Sequence, residues 1–462
     1  MNRAVWPSAG LVALAAAFVG ASVVPAQVPS AVGTPDDDRA RVAVVCPTLA
    51  GTTGITAIAA GSPQGSLATA PLARPDEVTA ISGTFAVISQ ASGPTLVTAP
   101  RLDVFSGTTR SAATDGSDRG LSMMSCDRAT ASQWFTGVLS AQTGTAELVL
   151  LNADAQDASV DVTVHGAEGR VTAPGSRGII VPAHSRRVVP LGPLFTAEQP
   201  VSLKVATSAG RVAAAVRQRM LSGDAPAGSE WLPPSADPAT AVVIPGLPAG
   251  KGTRDLVVVN PGDRTASVTL QVLGADGPTA VPGFETLDLP PGTTRSIPLA
   301  GALALAPVGL RLASEQKITA SVLSTNGRGA AAIDLSTQIA TPGLTGPGVL
   351  ALSPGGAVSP VLHLASGAAD PVAVRVLVTD AAGRSLLDST VTVPGFADST
   401  VTLPKASAAL VSVEPAAAGI VHASVAVQAD LDDVVGVASL AVLPGAAAAT
   451  LPPIRQDPRV GS

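Results

Sequence analysis

Residues 159–170 read SVDVTVHGAEGR, residues 267–278 read SVTLQVLGADGP, and residues 372–384 read VAVRVLVTDAAGR. In each stretch an aliphatic residue recurs at every second position, and a turn that contains glycine follows. A period of two is typical of a β-strand with one face on a core and the other in water. The three stretches therefore predict three half-buried strands. Their predicted equivalent inward positions are Val162, Leu270 and Val376.

The repeat extends beyond these strands. AELVLLN at 146–152 corresponds to RDLVVVN at 254–260, and Asn152 and Asn260 stand 108 positions apart. In the third copy, Ala365-Ser366-Gly367 stands in place of the asparagine turn. Each unit of about 105 residues is long enough to enclose its own core. We therefore predict an all-β chain of tandem immunoglobulin-like antiparallel β-sandwich domains after an N-terminal signal segment.

The unit boundaries follow from the repeat and from segments rich in Gly, Pro and Ser. Residues preceding the first copy do not align with the repeat, although they contain short Val/Thr/Ile runs. The predicted units are a signal peptide or N-terminal anchor (1–26), an N-terminal strand-rich domain (39–142), three β-sandwich repeats (143–225, 248–338 and 355–445) and a flexible tail (446–462). The uncharged stretch 434–454 contains three prolines, so we interpret it as a closing strand and tail rather than a membrane helix.

Composition excludes several classes of function. Of 462 residues only 13% are charged, and the net charge is −6, which gives no electrostatic basis for binding nucleic acid. Three Trp, seven Phe and no Tyr argue against a large aromatic platform for bases or sugars. The apolar content of 46% argues against a disordered chain.

The N-terminus predicts export. Arg3 precedes the uncharged stretch 9–24 and the small-residue exit at Val24-Pro25-Ala26, which is the pattern of a secretory signal peptide. An uncleaved membrane anchor is the alternative, and either case places the remaining chain outside the cytoplasm. Cys46 and Cys126 are the two cysteines, and an isolated pair in an exported chain predicts one disulfide, with two buried free thiols as the alternative.

The chain shows no catalytic or metal-binding motif. HExxH and GxSxG are absent, and the four histidines fall in different strands and turns: His165, His184, His363 and His422. His165 aligns with Leu273 and Thr379, so we interpret it as a surface or turn residue rather than a metal ligand. The acidic clusters 36–38 and 430–433 are interpreted as solvated, with weak Ca²⁺ binding as the alternative for the second. We predict no catalytic residue, no metal and no cofactor.

The densest aromatic spot is Trp134-Phe135, and Trp231 follows in a predicted linker. Core packing beside the disulfide and at a domain boundary is one interpretation of these residues. The other is that Trp134, Phe135 and Trp231 contact a partner, because tryptophan is enriched where binding energy concentrates.

Several short motifs occur in a characteristic order. Val44-Val45-Cys46-Pro47 is followed by Cys126 with Trp134-Phe135, and then by GSEWLP at 228–233 before an L-x-V-x-N-P strand. This arrangement resembles a family of exported, cell-envelope-associated actinobacterial proteins catalogued as a domain of unknown function. The resemblance implies export and a β architecture, and it supplies no catalytic residues.

These observations rank three functions. We expect a non-enzymatic extracytoplasmic scaffold or interaction protein of the cell envelope, whose partner is an envelope protein or a glycan. A glycan-binding β-sandwich protein is the alternative, although aromatic residues are scarce. An envelope hydrolase ranks third, because no pair of carboxylates is identifiable by spacing. We expect no nucleic-acid partner, and contact with a membrane only through an uncleaved N-terminal segment.

Overall fold

The computed structural model describes residues 41–48, 53–60, 67–81, 85–88, 91–100, 104–140, 142–171, 173–248, 252–299, 303, 308–327, 333–352, 360–406, 409–431 and 434–444. In this part of the chain the regular structure is entirely β, which confirms the predicted fold class. It accordingly contains no helix long and apolar enough to cross a membrane. The predicted signal segment 1–26 and the tail 446–462 lie outside the described residues.

The strands group into four sandwiches in chain order. The N-terminal sandwich contains β1 (Arg41–Cys46), β2 (Thr53–Ala60), β3 (Ala68–Pro71), β4 (Thr79–Ala80), β5 (Phe85–Ile88), β6 (Thr95–Pro100), β7 (Val104–Ala113) and β8 (Gly120–Ser125). The first repeat sandwich contains β9 (Ser132–Val138), β10 (Gly144–Asn152), β11 (Ala158–Gly166), β12 (Gly169–Val171), β13 (Ile179–Val181), β14 (Ser185–Pro190), β15 (Val201–Ala209), β16 (Ala213–Ser222) and β17 (Ala225–Leu232). The second contains β18 (Ala239–Leu247), β19 (Arg254–Val259), β20 (Ala266–Gly274), β21 (Gly277–Ala280), β22 (Thr286–Leu289), β23 (Thr294–Pro298), β24 (Val308–Thr325) and β25 (Leu335–Ile339). The third contains β26 (Gly348–Leu352), β27 (Val361–Ser366), β28 (Val372–Asp380), β29 (Ser385–Val393), β30 (Asp398–Thr402), β31 (Ala409–Pro415), β32 (Val421–Leu431), β33 (Val434–Ala441) and β34 (Leu443–Pro444).

All four sandwiches share one strand order. The two sheets run β1-β6-β3-β4 and β5-β2-β7-β8 in the N-terminal sandwich, β9-β15-β11-β12 and β14-β10-β16-β17 in the first repeat sandwich, and β26-β31-β28-β29 and β30-β27-β32-β33 in the third, where the short strand β34 adds to the outer edge of β26. In the second, the long strand β24 belongs to both sheets, because it pairs with β18 and β20 and also with β19 and β25. The N-terminal residues, which do not align with the repeat in sequence, are therefore a fourth copy of the same fold.

Each repeat sandwich takes its first strand from residues ahead of the unit drawn from the sequence. β9 lies inside the segment 39–142, β18 lies ahead of residue 248, and β26 lies ahead of residue 355. These strands contain residues typical of linkers, such as IPGL at 244–247. Glycine and proline therefore mark a bend within the strand here rather than a connection between domains.

The alternating segments have the predicted register. Val162, Leu270 and Val376 are buried, whereas the neighbouring side chains of Thr269 and Arg375 are exposed. Each repeat sandwich encloses a separate hydrophobic cluster, and the N-terminal sandwich encloses a fourth one around its cysteines. Burying a valine or leucine in such a core stabilises the fold by about 1.5–3 kcal/mol.

The asparagines that mark the repeat fix the same turn in two sandwiches. Asn152 and Asn260 are buried, and the Nδ2 of each donates hydrogen bonds to three main-chain oxygens. The acceptors are those of Gln156, Val181 and Pro182 in the first sandwich and of Arg264, Leu289 and Pro290 in the second. Because the two asparagines donate to main-chain oxygens at equivalent positions of the two copies, the asparagine turn is a structural element of the repeat.

A second turn is equally conserved in geometry within the chain. His184, Gly292 and Phe396 align in the sequence, and their φ angles are 50°, 71° and 48°. A positive φ is rare for residues other than glycine. Its recurrence at aligned positions shows that the third copy, which lacks the asparagine, keeps the same backbone path.

Neighbouring repeat sandwiches meet at interfaces with the same arrangement, in which the first strand of one copy packs on the second sheet of the next copy. We call the interface between the first and second repeat sandwiches the first seam, and that between the second and third the second seam. Ser321 Oγ donates to the main-chain oxygen of Thr136 in β9 at 2.8 Å. Ser424 Oγ donates to the main-chain oxygen of Pro245 in β18 at 3.1 Å. The two seams therefore repeat a hydrogen bond as well as a fold.

An equivalent contact links the third repeat sandwich back to the N-terminal one. Thr108 Oγ1 in β7 donates to the main-chain oxygen of Ala351 in β26, so the third repeat sandwich packs on the N-terminal one. The N-terminal sandwich packs in turn on the first repeat sandwich through a shared hydrophobic cluster. That cluster includes Val45, Leu72, Met124, Val149, Leu151 and Trp231. The four sandwiches thus form a closed cycle of contacts rather than a linear array.

Candidate functional site

The four sandwiches meet at the central junction, the place where β8, β17, β25 and β33 come together. β8 contacts β17 and β33, and β25 contacts the same two strands. Asp334 Oδ2 accepts hydrogen bonds from the N–H groups of Leu121 at 2.8 Å and Val437 at 2.9 Å. Its Oδ1 accepts one from the N–H of Leu335 at 2.9 Å. One carboxyl group thus joins the N-terminal, second and third repeat sandwiches.

Glycines provide the space for this carboxyl group. Gly120 and Gly228 have φ angles of 119° and 120°. A Cβ atom would lie 2.2 Å from Asp334 Oδ1 at Gly120 and 2.7 Å from it at Gly228. Both the positive φ and the close approach therefore require glycine at these two positions.

Burial raises the pKa of Asp334 to about 7, although its three main-chain N–H donors lower it. Glu230 lies nearby and is also buried, and the N–H of Thr337 and the Nε2 of Gln218 each donate to it at 2.7 Å. Burial raises the pKa of Glu230 as well, while these donors oppose the shift. The junction therefore holds two buried carboxyl groups, each bound by donors of the chain itself.

An arginine joins the junction to the N-terminal sandwich. Arg217 is 1% exposed, and its guanidinium pairs with Asp118 Oδ1 at 2.8 Å and donates to Ser122 Oγ at 2.7 Å. Arg219 pairs with the same Asp118 oxygen at 2.6 Å. Burial raises the pKa of Asp118, but the two arginines outweigh this and lower it overall. These charges are therefore used to hold two sandwiches together.

His165 occupies the first seam. It is buried, and its Nδ1 lies 2.9 Å from the main-chain oxygen of Gly292 in the next sandwich. Burial lowers the pKa of His165. The interpretation of His165 as a surface residue is therefore wrong. The residue type at this position of the repeat varies because the residue that it contacts in the next sandwich varies: at the equivalent place in the second seam, Leu273 packs in a cluster with Phe396.

Two further histidines lie in the second seam. His363 Nδ1 lies 3.3 Å from Asp398 Oδ1, and Asp398 Oδ2 accepts a hydrogen bond from the N–H of Gly246 at 3.1 Å. His422 Nδ1 lies 2.8 Å from the main-chain oxygen of Thr341, and burial lowers the pKa of His422 to about 4. Three of the four histidines therefore serve contacts between sandwiches.

The aromatic residues singled out in the sequence are covered by the chain itself. Trp134 is 5% exposed and its ring centroid lies 5.4 Å from that of His165, while Phe135 belongs to the core of the first repeat sandwich. Trp231 is 2% exposed, with the guanidinium of Arg217 5.5 Å from its ring centroid. A partner has no access to buried rings, so the structure places these residues in core and seam packing and not on a free contact surface.

Cys46 and Cys126 form a disulfide across 80 residues of sequence. This confirms the predicted bridge and excludes two free thiols. Both cysteines are buried in the core of the N-terminal sandwich. On the chain-entropy estimate a bridge closing such a loop stabilises the fold by roughly 4.5 kcal/mol.

A cavity of about 240 Å³ lies at the C-terminal ends of the four central strands. All four sandwiches contribute to its wall, through residues such as Asp127, Gln133, Ile339 and Leu440. We call it the junction cavity. Concave, mostly apolar sites with a few polar groups are where small ligands bind.

Two polar side chains of the junction cavity are distinctive. Gln133 is 6% exposed, and its Nε2 donates to Thr130 Oγ1 at 2.8 Å and to the main-chain oxygen of Val212 at 3.0 Å. Its Oε1 has no hydrogen-bond partner in the described part of the chain. Asp127 accepts a hydrogen bond from the N–H of Arg128 at 2.7 Å, and burial raises its pKa while Arg128 lowers it.

The acidic clusters form no metal centre among the described residues. Asp430 is exposed, and positions 36–38 and 432–433 lie outside the described residues. Across the described ranges no group of three His, Cys, Asp or Glu side chains is placed to hold a metal ion.

Sequence reasoning missed Asp334, Asp127 and Gln133. A signal for the first was present, because Asp334-Leu335 in the second copy corresponds to Gly228-Ser229 in the first copy. A charged residue that replaces glycine in one copy indicates a special environment there.

Comparison with known proteins gives the chain a family without an activity. No curated protein matches it. Among solved structures, an α-L-rhamnosidase of Streptomyces avermitilis complexed with L-rhamnose aligns with 81% of this chain at 10% identity and a TM-score of 0.14. The chain covers 55% of that enzyme's length, and a likeness this weak carries no argument. A model described as "Family of unknown function (DUF5719)" matches residues 85–406, and the chain belongs to this family.

Proposed function

We propose that the chain is a non-enzymatic extracytoplasmic interaction protein of the cell envelope. The observation that carries the proposal is the closed cycle of four sandwiches, in which Asp334, Glu230 and Arg217 all bind groups of the chain itself. The ionisable side chains at the centre therefore hold the sandwiches in place. A fixed frame of this kind presents its outer strands and its junction cavity in a constant geometry, which lowers the entropic cost of binding a partner.

The buried disulfide supports placement outside the cytoplasm. Disulfides persist in oxidising compartments and are rare where thiols are kept reduced. Together with the signal-like N-terminal segment, the Cys46–Cys126 bridge favours an exported protein.

The outer edge of the first repeat sandwich supports partner binding. Ile180 and Val188 are 52% and 37% exposed on β13 and β14, and Arg186 and Arg187 between them are exposed as well. Among the described strands β14 pairs with β10 alone, so within this part of the chain its other edge carries unpaired main-chain groups. Edge strands with exposed apolar residues are sites at which other chains associate.

The test is affinity capture from envelope fractions with the full chain immobilised, followed by mass spectrometry. We expect an envelope protein or glycan to be retained by the wild type and lost from a chain unfolded by reduction and urea. Fractionation of cells should place the protein outside the cytoplasm with Cys46 and Cys126 unreactive to alkylation. Release of sugar or peptide fragments from purified envelope by the protein would overturn the non-enzymatic assignment.

A further inference from the structure

We infer that a cavity at the second seam binds a free amino acid, whose carboxylate and ammonium groups meet polar side chains of the cavity wall. We call it the seam cavity. It has a volume of about 420 Å³, and residues of the second and third repeat sandwiches line it. This volume lies within the roughly 300–1,000 Å³ of sites that take small ligands. The inference goes beyond the proposed function and does not rest on it.

Arg311 brings to the seam cavity a positive charge that no ion pair among the described residues neutralises. It lies on β24 and lines the cavity. Its Nη1 donates to Gln271 Oε1 at 3.1 Å, and its guanidinium lies 4.9 Å from the ring centroid of Phe396. These contacts hold the guanidinium in place, while its Nη2 has no hydrogen-bond partner within the described ranges. Because guanidinium groups form strong, charge-assisted hydrogen bonds with carboxylates, a positioned arginine of this kind favours a ligand that carries a carboxylate.

His422 adds a hydrogen-bond acceptor to the same wall. Its Nδ1 lies 2.8 Å from the main-chain oxygen of Thr341, and a carbonyl oxygen only accepts, so Nδ1 carries the proton and Nε2 the lone pair. Burial lowers the pKa of His422 to about 4, which keeps the ring neutral at pH 7. In the second copy Thr319 occupies the aligned position, and its hydroxyl makes the equivalent contact with the main-chain oxygen of Ala236 at 2.8 Å. A threonine therefore suffices for this contact, and the Nε2 of His422 is an additional group.

The position of Gly367 shows that this Nε2 borders the seam cavity. Gly367 lines the cavity as His422 does, and a Cβ atom on it would lie 3.3 Å from His422 Nε2 and 3.5 Å from Val243. Glycine leaves this space open although its φ is not positive, so its backbone conformation does not require glycine here. A donor of a bound molecule can therefore reach Nε2 from the space above Gly367.

Asp237 supplies the opposite charge at the rim of the seam cavity. It is exposed and lines the cavity, and it takes part in no ion pair within the described ranges. An ammonium group suits Asp237 and His422 Nε2, because both accept hydrogen bonds, and a carboxylate suits Arg311. A zwitterion matches all three groups, whereas a ligand with one charge leaves one of the two charged side chains unmatched. Val242 and Ile420 add apolar wall, against which an amino-acid side chain can pack.

The experiment is isothermal titration calorimetry on the full chain with L-alanine, L-serine, L-leucine, L-phenylalanine, L-glutamate and L-lysine, each titrated separately. We expect at least one of the six to bind. Its N-acetyl derivative lacks the ammonium group and its methyl ester lacks the carboxylate, so each should bind at least tenfold more weakly.

Four variants locate the binding in the seam cavity. Arg311→Gln removes the cation and should weaken binding at least tenfold. His422→Thr installs the residue of the second copy, which keeps a donor for Thr341 and removes the Nε2 acceptor, and should weaken binding at least threefold. Gly367→Ala places a methyl group beside Nε2 and should weaken binding at least tenfold. Arg295→Gln removes an exposed arginine of β23 that does not line the cavity, and should leave binding unchanged.

The absence of heat with all six amino acids overturns the inference. So does an N-acetyl derivative or a methyl ester that binds as tightly as its parent, or binding that either His422→Thr or Gly367→Ala leaves unchanged. These two variants keep the test valid if Arg311→Gln fails to fold. Because capture of an envelope partner is a separate measurement, failure here leaves the proposed function standing.

Discussion

The two seams between the repeat sandwiches share a main-chain contact and differ in side chains. In each, a serine hydroxyl donates to the first strand of the preceding sandwich, beside a glycine of positive φ: Gly137 in the first seam and Gly246 in the second. A Cβ on Gly137 would meet Ser321 and Val257, whereas one on Gly246 would meet Ser424 and the ring of His363. The backbone geometry of a seam is therefore kept while the side chains around it vary.

The two seams differ in the polar side chains that they bury. In the first seam, Thr294 Oγ1 donates to the main-chain oxygen of His165 at 2.8 Å, and the side chains that face Gly137 are the neutral ones of Ser321, Thr337 and Val257. In the second, the buried pair of His363 and Asp398 stands beside Gly246. A partly satisfied buried polar network is costly to disturb, so equal changes should be more damaging at the second seam than at the first.

A substitution that unfolds the second repeat sandwich, which takes part in both seams, should have the largest effect on stability. Leu270→Asp places a carboxylate in the core of the second repeat sandwich, which should cost about 5 kcal/mol, comparable with the stability of a small domain. Because this sandwich covers faces of both neighbours, hydrogen exchange should quicken in β9 and β27 as well as in β20.

Thr269→Ser, at the exposed neighbouring position, should change the free energy of unfolding by less than about 0.5 kcal/mol. If Leu270→Asp left β9 and β27 fully protected, the seams would contribute little and the sandwiches would be independent. If both substitutions were equally mild, the strand register would be wrong.

The junction should make stability depend on pH. The folded pKa of Asp334 is about 7 and lies above its ordinary value of 3.8, so the folded chain binds the proton more tightly than the unfolded chain. The stabilisation is thus complete below about pH 4 and is lost as pH rises through 7, by an amount on the order of 4 kcal/mol. Urea unfolding at several pH values should show this decline.

Asp334→Asn keeps the shape and removes the titration, so its free energy of unfolding should depend much less on pH between 4 and 7. Glu230 shares the window, because burial raises its pKa too, and some slope should therefore persist. An unchanged slope in Asp334→Asn would mean that other groups produce the dependence.

Alanine substitutions at the two equivalent glycines, Gly137 and Gly246, test the difference between the seams directly. Gly246→Ala should cost about 3 kcal/mol, because a positive φ strains alanine by roughly 1–2 kcal/mol and the new Cβ would lie 2.7 Å from the ring of His363. Gly137→Ala has the same strain, but its closest neighbour is the hydroxyl of Ser321 at 2.9 Å, which a rotation can relieve. We expect a cost of about 2 kcal/mol or less there. Equal losses in thermal unfolding would show that the polar pair adds nothing.

The parts of the fold that follow local patterns were predictable. Alternation located Val162, Leu270 and Val376 in their cores, and the spacing of Asn152 and Asn260 identified the unit. These features are encoded within a few neighbouring residues or by exact repetition. The fold class and the disulfide followed from such patterns together with composition.

The seams, the junction and the fourth copy were not predictable, because they depend on which residues meet across distant parts of the chain. His165 and Leu273 differ because their partners in the next sandwich differ, and no periodicity reports this. The first strand of each repeat resembles a linker because its glycine allows a close approach that only the neighbouring sandwich makes necessary. Gln133 lies in a strand whose burial pattern does not distinguish it from a core residue.

The smallest expected effect tests the shared turn. His184 has a φ of 50° and is half-buried at the position where the second copy has Gly292. His184→Gly relieves a strain of roughly 1–2 kcal/mol, and the greater freedom of glycine in the unfolded chain returns about 0.5–1 kcal/mol of that gain. The variant should therefore be more stable by about 0.5–1 kcal/mol in urea unfolding.

Phe396→Gly relieves the same strain but loses the contact of its ring with Arg311, 4.9 Å from the centroid, and its packing on Leu273. It should be destabilised, because the ring belongs to the second seam. A gain of stability in both variants would mean that the Phe396 ring adds nothing to the second seam, and a loss in both would mean that His184 contributes contacts beyond the turn.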